Sequence, residues 1–135
     1  MPPNQILVLW YIAFTWMVIL HTFEEVSCGI MELQLAHIKL TRNRYLVAAS
    51  AVSTVNLGTL SMLVVGLPLG YYFGLFTSAT IGVFQAIVHT IGYLRENGKA
   101  RGLGAGFYSS IPLAVVGLIV FVQIVRIIAA QGPAP

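Results

Sequence analysis

Residues 5–25 read QILVLWYIAFTWMVILHTFEE. From 6 to 20 there is no charged side chain, and then His21, Glu24 and Glu25 arrive together. A helix that crosses a bilayer needs about 20 largely apolar residues. Residues 5–24 meet that need and put His21 at or just inside an interface. Residues 1–5 carry no Lys or Arg, no small-x-small cleavage site follows the run, and the run exceeds most signal-peptide cores. The segment therefore reads as a retained span.

Outward from this stretch the pattern repeats. Residues 45–66, 71–94 and 107–130 are each long and apolar enough to span. Gly66-Leu67-Pro68-Leu69-Gly70 reads as a tight turn between the second and third. Of 135 residues, 58% are hydrophobic and 8% charged, with a mean hydropathy of +0.88. A soluble domain averages about 25% charged residues, so lipid is the expected solvent. Continuous apolar runs exclude the alternation of a β-barrel, and backbone groups in lipid must be satisfied within the segment. The expectation is an all-α membrane protein, a bundle of four transmembrane helices forming one domain over residues 1–135.

The net charge of +3 reflects basic residues at span ends and is no signal for nucleic acid. Lys39, Arg42 and Arg44 lie between the first two spans, and Arg95, Lys99 and Arg101 between the last two, while the 66–70 turn has none. The positive-inside rule then puts both basic connections in the cytoplasm and both termini on the opposite side. The connection 25–44 mixes Ile30, Met31, Leu33, Leu35, Ile38 and Leu40 with Glu32, His37 and Lys39. An interfacial amphipathic helix or a surface loop fits it, with part of it covering the cytoplasmic end. Residues 131–135 form a short tail. Cys28, the lone cysteine, has no internal disulfide partner and reads as a packing residue.

Ionisable groups at a span centre cost about 2.5–3.5 kcal/mol on insertion scales, so those retained are functional candidates. Residues three and four apart share a helix face, which brings Glu24 and Glu25 to His21. The same face is expected to continue through Met17, Phe14 and Trp10 as an apolar wall. Adjacent carboxylates repel, so a cation or proton is expected between them. On the third span Gln85 and His89 lie one turn apart, within a stripe of Ser78, Gly82, Gln85, His89 and Tyr93. That span runs back toward the cytoplasm, which places His89 near the depth of His21. Ser50, Ser53 and Asn56 on the second span suit close packing, within the chain or against a second copy or partner subunit. Asn56 lies deep enough to meet a ligand. Gln123 and Arg126 sit near the other face, where Arg126 can snorkel.

His21-x-x-Glu24-Glu25 at the end of a first span, with the isolated His89 much later, resembles the HXXEE domain family of small integral membrane proteins. That family also has a Tyr-x-Pro-Gly motif after the second histidine. Here Leu103-Gly104-Ala105-Gly106 stands in about that place and keeps only the glycine, Gly106. The resemblance covers most of the chain. It implies that His21, Glu24, Glu25 and His89 belong together.

Two histidines and two carboxylates are a ligand set for a divalent metal, zinc or iron. A site near the headgroup plane suits a lipid, isoprenoid or sterol-like substrate. Metal-assisted hydrolysis and proton-transfer isomerisation by a glutamate both fit, with Trp10, Phe14, Met17, Asn56, Gln85 and Tyr93 contacting substrate. HExxH is absent and the di-iron Glu-x-x-His order is reversed. A proton relay or transporter and an accessory subunit are the other classes. The first is disfavoured because the polar groups gather at one face.

Overall fold

The computed structural model describes residues 3–32, 34–35 and 38–131. His37 and residues 132–135 of the tail lie outside the described residues. The chain runs α1 (Pro3–Ser27), a 3-10 turn (Ile30–Glu32), β1 (Gln34–Leu35), β2 (Ile38–Lys39), α2 (Arg42–Val64), α3 (Leu69–Thr77), a π-helical segment (Ser78–Phe84), α4 (Gln85–Arg95), a 3-10 turn (Gly102–Gly104) and α5 (Phe107–Gln131). Among the described residues, four continuous helices are long and apolar enough to cross a membrane: Asn4–Ser27, Arg42–Val64, Leu69–Arg95 and Phe107–Ala130. The fold is the expected all-α bundle of four spans.

The span boundaries differ from the sequence expectation for local reasons. α1 continues to Ser27, so Glu24 and Glu25 stand on helix rather than at its frayed end. Gly29, at φ +79, then turns the chain. α2 starts at Arg42 because Thr41 is extended and its side chain accepts from Arg44 N. Among its described residues the connection after α1 forms no amphipathic helix. Its described residues form the 3-10 turn and a two-residue antiparallel ladder, Gln34 opposite Lys39 and Leu35 opposite Ile38. Ile30 nevertheless packs inward, against Tyr45 and Ala105, and so closes one end of the bundle as expected.

On α1 the buried side chains are Leu7, Tyr11, Phe14, Val18, His21 and Glu25. Their alternating steps of four and three follow the 3.6-residue period. The ionisable pair therefore continues the core stripe. Most of the remaining large apolar side chains on α1, such as Leu9, Trp16, Leu20 and Phe23, are exposed. Such a surface is what lipid would cover.

α5 is the centre of the bundle and packs on α1, the π-helical segment, α3 and α4. Where α5 crosses the third span, a Cβ on Gly117 would lie 3.0 Å from Gly82 Cα and 3.3 Å from the Phe14 ring. Small residues at that point let backbones meet where lipid gives no hydrophobic drive for association. The third span carries Gly70, Gly74, Ser78 and Gly82 buried at steps of four. In an α-helix each such step drifts about 40° around the axis. The wider π turn takes up that drift, keeps Gly82 on α5, and lets His89 and Gly92 resume the buried face of α4.

α2 is peripheral. Its buried residues are Tyr45, Asn56, Thr59 and Leu63. No residue between Tyr45 and Asn56 is buried, so over about three turns the helix stands off from its neighbours. Ser50 and Ser53 are exposed and take no part in packing within the chain. Asn56 is buried and bonded: Tyr11 donates to its Oδ1 at 3.2 Å and shares a 2.8 Å bond with Thr77 Oγ1.

Candidate functional site

The α1 stripe delivers His21 and Glu25 side by side, with His21 Nε2 3.7 Å from Glu25 Oε1. α4 brings His89 in from the opposite chain direction, and its Nε2 lies 3.3 Å from the same Glu25 Oε1. The two imidazoles meet edge to face with centroids 4.8 Å apart. His21 and His89 are each 2% exposed and Glu25 8%. One nitrogen or oxygen from each of the three lies within 4.8 Å of the others.

The outer faces of both rings are tied. His89 Nδ1 donates to the Leu103 main-chain carbonyl at 2.9 Å. A carbonyl only accepts, so Nδ1 carries the hydrogen, and in the neutral ring Nε2 holds a bare lone pair. His21 Nδ1 is 3.0 Å from Ser109 Oγ, whose hydroxyl lies 3.4 Å from the Gly106 carbonyl. With that hydroxyl donated to Gly106, His21 Nδ1 is also the donor and its Nε2 is also bare. The Gln85 amide nitrogen approaches that Nε2 at 3.4 Å. Glu25 Oε2 is occupied separately, accepting from Tyr45 Oη at 3.0 Å. His89 Nε2, fully buried, makes no hydrogen bond.

The loop before α5 makes this convergence possible. Gly106 has φ +88, and a Cβ there would fall 2.6 Å from His21 Cε1 and 2.9 Å from Glu25 Cγ. Gly92 and Gly104 interlock: a Cβ on Gly92 would lie 2.4 Å from the Leu103 carbonyl carbon, and one on Gly104 2.7 Å from Tyr93 N. This contact sets the Leu103 carbonyl against His89.

Glu24 takes a different role from the one expected. Its oxygens accept from Tyr108 N at 3.0 Å and Ser109 N at 2.6 Å, the free amides at the start of α5. A carboxylate there answers the unpaired N–H groups and the positive end of the helix dipole. Next to Glu25 in sequence, it is rotated by about 100° around α1, which turns it out of the His21–His89 group. His21, Glu25 and His89 thus converge and Glu24 does not.

A cavity of about 180 Å³ opens beside the group, in the gap left by α2. Its polar end is lined by His21, Thr22, Glu25, Tyr45 and Gln85. Its apolar end is lined by Val18, Ala48, Ala49, Val52 and Ile81. Of the expected contact residues, only Gln85 is here. Phe14 is buried in the core beside the glycine crossing, with Trp10 and Met17 packed against that core. Asn56 belongs to the deeper Tyr11–Thr77 network. Tyr93 stacks on Phe107 at 4.1 Å and 8°, tying α4 to the start of α5. A larger groove of about 370 Å³, between Gln5 and Val64 at the other end, has no carboxylate or imidazole.

Tyr45, Ser109, Leu103 and Thr22 were not legible as site residues. Their contributions are a hydroxyl or carbonyl delivered across helices, and no spacing within one segment encodes that. Gly106 was flagged as a motif remnant, and its steric role is what the structure adds. No family model, curated protein or solved structure matches the chain.

Proposed function

We propose that this protein is a membrane-embedded enzyme acting on an amphiphilic substrate, a lipid, isoprenoid or sterol-like molecule, at His21, Glu25 and His89. One observation carries the reading: two members of a buried His–Glu–His group, His21 and Glu25, line the polar end of an otherwise apolar cleft, with His89 behind them. A hydrocarbon chain along Val52 and Ile81 would present its polar end to Glu25, Tyr45 and Gln85. Fixed dipoles in such a buried site act more strongly on developing charge than they would in water.

Two reaction types use this set. Hydrolysis adds water across an ester or phosphoester bond and draws on a positive centre to activate the water. Isomerisation needs Glu25 free to take a proton from one carbon and return it to another. The charge that separates Glu25 from the facing imidazole nitrogens decides between them.

The loops at this end carry the two sets of basic residues, and Ile30 and Ala105 from the two connections pack together. By the positive-inside rule we assign this end to the cytoplasm and both termini to the other side. The division of labour within His21-x-x-Glu24-Glu25 also favours membership of the HXXEE family. Glu24 caps α5, Glu25 joins the histidines, and Gly106 makes room for both.

The test is turnover in nanodiscs carrying a total lipid extract of the native membrane, with every lipid class followed by mass spectrometry. Wild-type protein should deplete one class and accumulate its product, and His89→Ala should not. An unchanged profile with folded wild-type protein would overturn the enzymatic reading.

A further inference from the structure

We infer that His21 Nε2, His89 Nε2 and Glu25 Oε1 form the binding site of a divalent transition-metal ion, zinc or iron. The inference deepens the enzymatic reading and rests on it only for what the ion would be used for.

The first ground is the direction of the lone pairs. The Leu103 carbonyl fixes the hydrogen of His89 on Nδ1, so a bare Nε2 faces a carboxylate oxygen at 3.3 Å. His21 Nε2 lies 3.7 Å from the same oxygen and meets the Gln85 amide at 3.4 Å, so His89 Nε2 is the acceptor left without a partner. Acceptors buried face to face repel, and burial without a partner is costly. Something positive belongs among them.

The second ground separates an ion from a proton. A proton on His89 Nε2 would make a direct hydrogen bond to Glu25, with N–H aimed at the oxygen. His89 Nε2 is close to that oxygen yet makes no hydrogen bond. An ion shared between the two atoms needs no such alignment of one with the other. An ion at about 2.0–2.1 Å from each of its tetrahedral ligands sets those ligand atoms about 3.3–3.4 Å apart. The His89–Glu25 pair at 3.3 Å already has that spacing, and the His21–Glu25 pair at 3.7 Å and the group as a whole, within 4.8 Å, would draw together on the ion.

The third ground is the outer ring of contacts. Metal-binding histidines give their other N–H to an oxygen that fixes tautomer and orientation, and coordinating carboxylates are themselves hydrogen-bonded. Leu103 O serves His89, Ser109 Oγ serves His21, and Tyr45 Oη serves Glu25. Two histidines and one carboxylate leave coordination positions open, as catalytic zinc and non-haem iron sites do. Gln85 and the cleft adjoin the group, on the side a substrate would enter. Glu24, held by α5, is outside the ligand set.

The experiment uses full-length protein carrying an affinity tag without histidine. Metal content is measured by plasma mass spectrometry, and the chelated protein is titrated with Co²⁺, Zn²⁺ and Fe²⁺. Wild type should hold close to one ion per chain and bind Co²⁺ saturably with a visible d–d spectrum. Glu25→Gln and His89→Ala should lose both, and Glu24→Gln should keep both. Because a lost ligand can also disturb folding, Ser109→Ala is the second arm. It keeps every ligand and should weaken Co²⁺ binding about 10–100-fold. Folded wild-type protein with no saturable site, or undiminished binding in both ligand variants, overturns the inference. Ion binding without turnover of any lipid leaves the site standing and removes the enzymatic reading.

Discussion

Gly106 lies against the His21 ring, so close that a single added methyl would sit 2.6 Å from Cε1. At φ +88 the same position is one that L side chains rarely adopt. Gly106→Ala should therefore lose stability twice over, by about 2–3 kcal/mol in all, and should displace His21 from Glu25. Gly102 offers the comparison, at φ +53 with open space around its Cβ position. Gly102→Ala should lose only the backbone part. Thermal unfolding in detergent measures both, and equal losses would contradict the steric account.

Glu24 and Glu25 are neighbours whose replacement should have opposite consequences. Glu24→Gln keeps an acceptor for the α5 amides but drops the charge, a loss of about 0.3–1 kcal/mol. Glu25→Gln removes the buried carboxylate that faces the imidazoles, and an amide nitrogen there can donate to His89 Nε2. In the presence of chelator, Glu25→Gln should melt no lower than wild type. With metal present, wild type should gain stability and Glu25→Gln should not. A chelated Glu25→Gln protein that melts well below chelated wild type would show that the carboxylate is satisfied without an ion.

The hydrogen bonds of Tyr11 with Asn56 and Thr77 lie deeper in the bundle and touch none of the site residues. Tyr11→Phe should cost about 0.6–1.7 kcal/mol, the range for polar contacts between membrane helices. Its metal affinity should equal that of wild type. Weaker Co²⁺ binding in this variant would mean that the two networks are coupled.

Orientation is tested by labelling intact cells in a Cys28→Ser background. Gly98→Cys lies in the exposed connection between α4 and α5, and Leu67→Cys in the exposed turn between α2 and α3. An impermeant thiol reagent should reach Leu67→Cys and not Gly98→Cys. The reverse pattern would place the site at the outer face.

The spans were legible because apolar length alone defines them, and His21, Glu25 and His89 because ionisable groups are scarce in such segments. Which neighbours they would have was less legible. The wall expected on Met17, Phe14 and Trp10 stepped back by four from His21, whereas the core stripe leaves it by three, through Val18. Both steps are allowed by the 3.6 period, and only packing against α5 selects one. Glu24 and Glu25 differ by one residue, so the same ambiguity decided which of them joined the histidines. Tyr45 and Ser109 are ordinary residues at helix starts until the chain brings them to Glu25 and His21. Of the helix and the loop that the connection after α1 allowed, its described residues take the non-helical form, because the apolar residues of 30–40 follow no helical period.

X-ray absorption at the metal edge of the loaded protein tests the central claim most directly. It should show two imidazole scatterers and one carboxylate oxygen at about 2.0–2.2 Å, with any remaining positions filled by water oxygen. His89→Ala should reduce the imidazole count to one. A first shell of oxygen alone, or one that His89→Ala leaves unchanged, would contradict a metal centre built from His21, Glu25 and His89.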